Sequence, residues 1–349
     1  MKFLGPIAVT DAQLTASSVV EAPPAAYNAG TTYALDDECS TGTVGGVITA
    51  WRSLQGANTG NTPASSPTWW ENIGATYSAY AGGTTYAADD IVLSATTHRI
   101  YQSVQGANTG HDPTTDDGTW WLDIGPTNRW ACFDQAVGTI TSAPSQIVVT
   151  LTPAETFNGL ALLDLVATSV QVEVDSGGPI YDETYEMEDR RLCLGWWEYF
   201  FMPLDPQTSL VVDDLPPTGA ITITINAGEN AAVGTLAIGR IAAIGDTLRA
   251  PEIGIKDYSV KSTDAYGVTT VTERGYAKTA RYNVLLDGHR VDAVARLLAG
   301  VRATPVVWIG DDRYGYDSLL IYGFYADFGV VIAYPSFSEC RLTVEGLST

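Results

Sequence analysis

Basic side chains are scarce in this chain. Its 349 residues include 18 Lys and Arg against 40 Asp and Glu, a formal charge of −22 at neutral pH. A nucleic-acid backbone is bound by releasing its counterions to clustered cations, and a field of this sign repels that backbone and an anionic membrane surface alike. Neither partner is expected. Cysteine and histidine are also few: Cys39, Cys132, Cys193 and Cys340 stand far apart with no C-x-x-C pair, accompanied by His98, His111 and His289 alone. That spacing argues against a disulfide scaffold or structural zinc and for buried free thiols. No uninterrupted run of about 18 apolar residues is present for a membrane helix. The leading MKFLGPIAVTDAQLT meets Pro6 and Asp11 where the apolar core of a signal peptide continues, so synthesis in the cytoplasm is expected. A G-x-S-x-G elbow, a P-loop and H-E-x-x-H are all missing, so no enzyme and no cofactor or metal is expected.

What remains is a turn-rich, aromatic composition. The chain has 34 Gly, 17 Pro, 18 Tyr and 9 Trp, with 45% hydrophobic and 17% charged residues, which suits a folded all-β protein rather than a disordered acidic tail. Residues 1–125 carry 3 basic and 12 acidic side chains (−9) and residues 126–349 carry 15 and 28 (−13), so the acid is a solvated surface and not a tail.

Self-comparison gives the strongest signal. Tyr27 to Gly74 reads YNAGTTYALDD, AWRSLQGANTGNTP, TWWENIG; Tyr80 to Gly125 reads YAGGTTYAADD, IYQSVQGANTGHDP, TWWLDIG. Each unit has under 50 residues, too few for an aliphatic core, so Tyr and Trp must fill it. Neighbouring strand residues point to opposite faces. Of each Trp pair, Trp70 and Trp121 are therefore expected inside, and Trp69 and Trp120 outside. A flat exposed ring stacks on the apolar face of a pyranose while amides pair with its hydroxyls. Trp69, Trp120, Tyr33 and Tyr86 are candidate platforms, and Gln55, Asn58, Gln105 and Asn108 candidate polar contacts; the alternative for all eight is scaffolding, with Q-G-A-N-T-G simply forming a turn. The carboxylate pairs Asp36/Asp37, Asp89/Asp90, Asp213/Asp214 and Asp311/Asp312 lack the separation of a glycosidase pair and read as turn caps.

The order Tyr, G-x-x-Y, acidic pair, aromatic-x-S, Gly-Asn turn ending in Pro, and W-x-x-I-G resembles the small chitin-binding modules of carbohydrate-binding families 5 and 12. The resemblance covers residues 26–125 in two copies and implies sugar binding. In the second copy Ile91 and Val92 supply the strand that follows the acidic pair. The first copy is expected to carry an insertion there instead, Glu38 to Gly46 with Cys39.

Beyond residue 126, period-two runs bounded by Gly, Pro and Asp predict strands at 146–152, 169–175, 209–215 and 220–226, the pattern of a β-sandwich. Trp196, Trp197, Tyr199, Phe200 and Phe201 are expected to pack in its core or rim. ARYNVLLD predicts a further strand, and Val291, Val294, Ala295 and Leu298 mark one face of a helix. Strands follow in VVWIGD, LLIYGFYADFGVVIAYP and SECRLTVEGL. MKFLGPIAVTDAQLTASSVVE, GPTNRWACFD, WEYFF, IGIKDYSVKSTDAYG and ERGYAKTARYNV together resemble tail or baseplate proteins of long-tailed bacteriophages, in the manner of a distal tail protein. The expected division is an N-terminal body strand (1–21), two inserted modules (22–75 and 76–125), a β-sandwich (126–256) and a tail-tube-like β domain with one helix (257–349). The resemblance implies a virion component of the tail tip that contacts other tail proteins, forms a three-fold or six-fold ring of itself, and reaches host cell-surface polysaccharide. Arg190, Arg191, Arg274 and Arg281 are candidate ring contacts. The alternative is a stand-alone bacterial carbohydrate-binding or adhesion protein.

Overall fold

The computed structural model describes residues 1–189, 195–201, 205–248, 250–263, 266–311, 316–332 and 337–347. Cys193, Arg190, Arg191 and Asp312 lie outside the described residues. The chain is all-β.

Ala220–Val233 shows why alternation was legible. Ile221, Ile223 and Ile225 are fully buried on one face while the Thr residues between them are half-buried. This strand lies central in a five-stranded antiparallel sheet ordered Pro179–Glu186, Ser169–Asp175, Ala220–Val233, Thr141–Leu151 and Leu14–Ser17. The apolar face of that sheet shares one core with Leu160, Leu162, Leu236 and Ile238, which belong to a second sheet of ten strands.

The larger sheet runs Ser209–Val212, Gly159–Leu163, Thr235–Ala243, Lys2–Pro6, Val306–Ile309, Leu320–Val331, Phe337–Gly346 and Tyr276–Asp287, with Asp246–Thr247 and Glu252–Asp257 both on the far side of the last. Its seam is the N-terminal strand. Lys2–Pro6 pairs with Thr235–Ala243 on one side and with Val306–Ile309 on the other. Phe3 and Leu4 point to opposite faces and enter two different clusters, Phe3 beside Trp308 and Leu4 beside Ala161 and Val307. The approach is close: a Cβ on Gly239 would strike the Gly5 carbonyl. The sheet thus joins strands from both sides of residue 256, and the boundary expected there falls inside the strand Glu252–Asp257. The predicted helix is present as Val291–Gly300 and buries Val294 and Leu298 against Tyr282, Val284 and Leu342.

A second, shorter helix spans Trp196–Phe201. Here the core or rim expectation is corrected, because Trp196 and Trp197 are 79% and 68% exposed and Phe200 and Phe201 are similarly bare; the side chain of Tyr199 lies outside the described residues. Cys39, Cys132 and Cys340 are buried free thiols, which burial pushes up to about 11, 12 and 11 respectively. Among the described residues no helix is long and apolar enough to cross a membrane.

The two modules carry their own three-stranded sheets, Glu38–Gly42, Ile48–Ser53 and Trp70–Thr76 in the first and Ile91–Ser94, Arg99–Ser103 and Trp121–Pro126 in the second. Glu38–Gly42 is therefore the counterpart of Ile91–Ser94, not an insertion. Cys39 stands fully buried where Val92 does. The extra length is a longer hairpin, and its Gly45 carbonyl accepts from Ile91 N at 2.8 Å, joining the modules. A Cβ at Gly45 would strike the Asp90 carboxylate.

Both modules meet the body at one buried carboxylate. Glu21, 8% exposed, accepts from Thr127 Oγ1 at 2.9 Å and lies 2.8 Å from His98 Nδ1, while its backbone carbonyl accepts from Thr76 Oγ1. His98 also sits 3.1 Å from Asp11 and stacks on Trp130 with ring centres 4.1 Å apart. Arg129 reaches Val19 O at 2.7 Å and Glu21 at 3.8 Å. Because Glu21 and Thr127 touch, the ends of the intervening 22–126 stretch are adjacent. Replacing residues 22–125 by a short Gly-Ser link should leave a body that unfolds cooperatively with a β-type circular dichroism spectrum. An aggregated or unfolded product would contradict an inserted, independently cored pair.

Candidate functional site

The repeated sequence builds the same scaffold twice. Tyr33 OH accepts from Asn28 N and Tyr86 OH from Ala81 N, each at 2.8 Å. Three rings close each core: Tyr33 lies edge-on to Trp70 at 4.9 Å with Tyr27 stacked behind it, and Tyr86 lies edge-on to Trp121 at 5.2 Å with Tyr80 behind. The indole N–H of Trp70 donates to Asn61 O, and that of Trp121 to His111 O, both at 2.8 Å. Asp37 accepts from Ala34 N at 2.6 Å and Asp90 from Ala87 N at 2.7 Å, so these carboxylates close turns. Asp36 and Asp89 take the left-handed conformation at φ 68° and 69° in the same turns.

Against this scaffold the eight candidate residues separate. Trp69 and Trp120 are partly exposed, packed against their module cores, whereas Trp70 and Trp121 are each 2% exposed, as the alternation predicts. Tyr33 and Tyr86 are interior and form no platform. Asn58 and Asn108 are also interior. Asn58 Nδ2 donates to Ser53 Oγ at 2.9 Å and Asn108 Nδ2 to Ser103 Oγ at 3.0 Å, with Trp69 O and Trp120 O each at 3.4 Å. A buried amide must be hydrogen-bonded within the fold, and here it ties the Q-G-A-N-T-G turn to the carbonyl of the outward Trp. Gln55 and Gln105 are exposed, yet each donates to the residue before that Trp, Thr68 O at 2.8 Å and Thr119 O at 3.2 Å. Asn58, Asn108, Gln55 and Gln105 therefore tie the backbone at Trp69 and Trp120, while Tyr33 and Tyr86 belong to the cores with Trp70 and Trp121.

The sequence comparison missed how the second site is finished. His111 stacks on Trp120 with ring centres 3.8 Å apart and planes 10° apart, where the first module has Asn61. Asp116 accepts from Gly118 N, Trp120 N and Trp121 N, the last two at 3.0 Å, a role filled in the first module by the Ser66 carbonyl. Burial opposes ionisation of Asp116, but the three N–H donors, with His111 nearby, outweigh it and hold the carboxyl below its ordinary range. Asp112 is held low by Thr114, whose N–H and hydroxyl both donate to it. The divergence between H-D-P-T-T-D-D-G and N-T-P-A-S-S-P was the available signal. Among the described residues no group of His, Cys, Asp and Glu is placed to hold a metal ion.

The first module also faces the body across an uncharged cleft of about 380 Å³, lined by Thr49, Asn72, Tyr77, Asn128, Ser142 and Asn230 among others. No known protein family matches the chain, and no curated protein matches it.

Two outcomes follow for stability. Trp121→Ala should destabilise the second module by about 3–5 kcal/mol, and Trp120→Ala by clearly less, read by thermal unfolding of the full chain. Equal losses would reverse the assignment of faces. Because the Asp116 carboxyl is depressed in the fold, its contribution is complete above about pH 4 and disappears as the pH falls through its folded value. Acid unfolding followed by indole fluorescence should show this loss in the native chain, and Asp116→Asn should reduce it, leaving the part that Asp112 and the other depressed carboxyls contribute.

Proposed function

We propose that the chain is a non-catalytic structural subunit of a bacteriophage tail tip whose two modules bind carbohydrate at the outward rings of Trp69 and Trp120. The observation that carries the sugar-binding part is the twin geometry. Two copies of one scaffold hold a partly exposed Trp at the same position, its backbone fixed by Asn58 or Asn108 and by Gln55 or Gln105. Rigid aromatic placement lowers the ordering cost of binding, and a neutral polyhydroxyl chain is the ligand that an acidic protein does not repel. The paired carboxylates Asp37 and Asp90 engage turns, which supports binding over hydrolysis.

The tail assignment rests on the sequence resemblance of residues 1–21 and 126–349, and the all-β body with the modules between its first strand and its main part is consistent with it. Two linked weak sites multiply into avidity, more so if the body repeats around a ring.

Retention of the full chain on chitin beads is the direct measurement. Trp69→Ala and Trp120→Ala should each weaken it about two- to tenfold, and the double variant more than either. Retention unchanged in the double variant would remove the rings from the site. Antibody against the chain should label the tail tip of virions, and labelling elsewhere or none would remove the tail assignment.

A further inference from the structure

The cleft between the first module and the body is made by residues that the outward rings do not use. Its module wall is the pair of strands Ile48–Ser53 and Trp70–Thr76 with Tyr77 after them. Its body wall comes from the pair Thr141–Leu151 and Ala220–Val233, which bring Ser142, Pro144 and Asn230, with Asn128 beside them. No charged residue lines it, in a chain of which 17% is charged.

This neutrality is special to the first copy of the repeat. Thr49 pairs with Ala75 and Asn72 with Trp51; at the same places in the second module Arg99 pairs with Pro126 and Asp123 with Tyr101. There the two side chains close on each other, Arg99 donating to Asp123 from Nε at 2.8 Å and from a terminal nitrogen at 2.7 Å. Asn72 keeps the turn contact of its counterpart: its Oδ1 accepts from Gly74 N at 2.9 Å, as Asp123 Oδ1 accepts from Gly125 N at 3.0 Å. Replacing Arg and Asp by Thr and Asn therefore leaves the scaffold intact and removes only the ion pair that would occupy this surface.

The body wall is irregular at the same place. Pro144 pairs with Asn230 and Gln146 with Asn226, and Ser145 between them takes the left-handed conformation at φ 62°. Bulges of this kind re-aim side chains and gather beside binding sites, and a left-handed residue with a Cβ is strained. Asn128 fixes the wall by donating to Ser142 O at 2.7 Å and accepting from Ser142 N at 2.9 Å. Other polar groups there are uncommitted. Thr49 Oγ1, Tyr77 OH, Ser142 Oγ and the Asn230 amide, all half-buried or exposed, make no hydrogen bond among the described residues.

We propose that this cleft is a separate binding site for a neutral saccharide of one or two rings, held between module and body by Thr49, Tyr77, Ser142 and Asn230. Its volume of about 380 Å³ is that of a small ligand pocket, and junctions between folding units are favoured places for one. Hydroxyls and amides both donate and accept, as sugar hydroxyls do. Tyr77 and Pro144 add carbon surface for the C–H face of a pyranose. The inference takes the class of ligand from the carbohydrate reading above and is independent of Trp69 and Trp120.

The test is calorimetric titration of the full chain carrying Trp69→Ala and Trp120→Ala, which lacks the outward rings, with maltose, cellobiose and N,N′-diacetylchitobiose. At least one should bind saturably, and backbone amides of 72–77 and 141–144 should then gain protection from hydrogen exchange. Thr49→Val with Asn230→Ala removes two hydrogen-bonding groups and should weaken binding about tenfold. Thr49→Arg with Asn72→Asp installs the ion pair that the second module already tolerates and should abolish it, with the thermal midpoint kept. No binding of any of the three sugars, protection appearing elsewhere, or binding that survives both pairs of substitutions would overturn the cleft site. Each of these outcomes leaves the outward rings to be judged separately by retention on chitin beads.

Discussion

A folding unit of fewer than fifty residues cannot close an aliphatic core, and this constraint decides what each module has left to offer a ligand. Tyr33 and Trp70 in the first module and Tyr86 and Trp121 in the second are committed to the interior as interlocked rings, with Tyr27 and Tyr80 half-buried against them. Once they are inside, the turn around them must hydrogen-bond inward, so Asn58 and Asn108 follow. Trp69 and Trp120 stay half-buried at the margin of these cores, as do Tyr27, Trp51 and Tyr80. On the proposed sugar-binding reading, recognition depends on how firmly the outward Trp is held, and the Asn and Gln side chains of the repeat tie its backbone and that of the residue before it.

The same economy of contacts governs how the modules sit on the body. Their attachment is polar and converges on Glu21, a carboxylate withdrawn from water and surrounded by Thr127, His98 and Arg129. A buried charge adds little net stability when well paired but is costly once a partner is lost. Such a junction specifies one orientation more than it adds strength. His98 is central because it belongs to the hairpin of the second module yet faces carboxylates of the N-terminal segment through both ring nitrogens, and it lies flat on Trp130 of the returning chain. The G-P-T-N-R-W segment thus has a physical role as the clasp on the inserted pair.

What was legible in the sequence was local or repeated. Alternation in SVQVEVD and AITITIN was visible because one face of each strand is wholly buried, and the helix because Val294 and Leu298 share its covered side. The outward assignment of Trp69 and Trp120 needed only the period of a strand. What stayed hidden depends on distant partners. The resemblance led to an expected N-terminal body strand, but nothing in KFLGP identifies its neighbours, which lie more than 200 residues away at Thr235–Ala243 and Val306–Ile309. Glu38–Gly42 read as an insertion because Ser40 and Cys39 lack the usual strand character, although Cys39 fills the place of Val92. Tyr33 and Asn58 read as ligand contacts because residue type alone does not reveal the side of a ring of aromatics on which a polar tip is tethered.

The exposed aromatic helix and the uncovered arm of residues 252–276 were also beyond sequence reasoning, for a different reason. Amphipathic strand patterns report that a face is buried, not what buries it. Ile253 and Ile255 alternate with polar residues as core positions do, yet the chain itself leaves them in water. Open sheet edges are normally protected by charge, proline or a covering element because they pair readily with other chains. The arm carries both signs, Lys256, Lys261 and Arg274 interspersed with Glu252, Asp257 and Glu273, while Pro179–Glu186 carries carboxylates alone. A net charge of −22 adds a general repulsion between copies. Among the described residues, protection of the Pro179–Glu186 edge thus falls to charge rather than to a covering element.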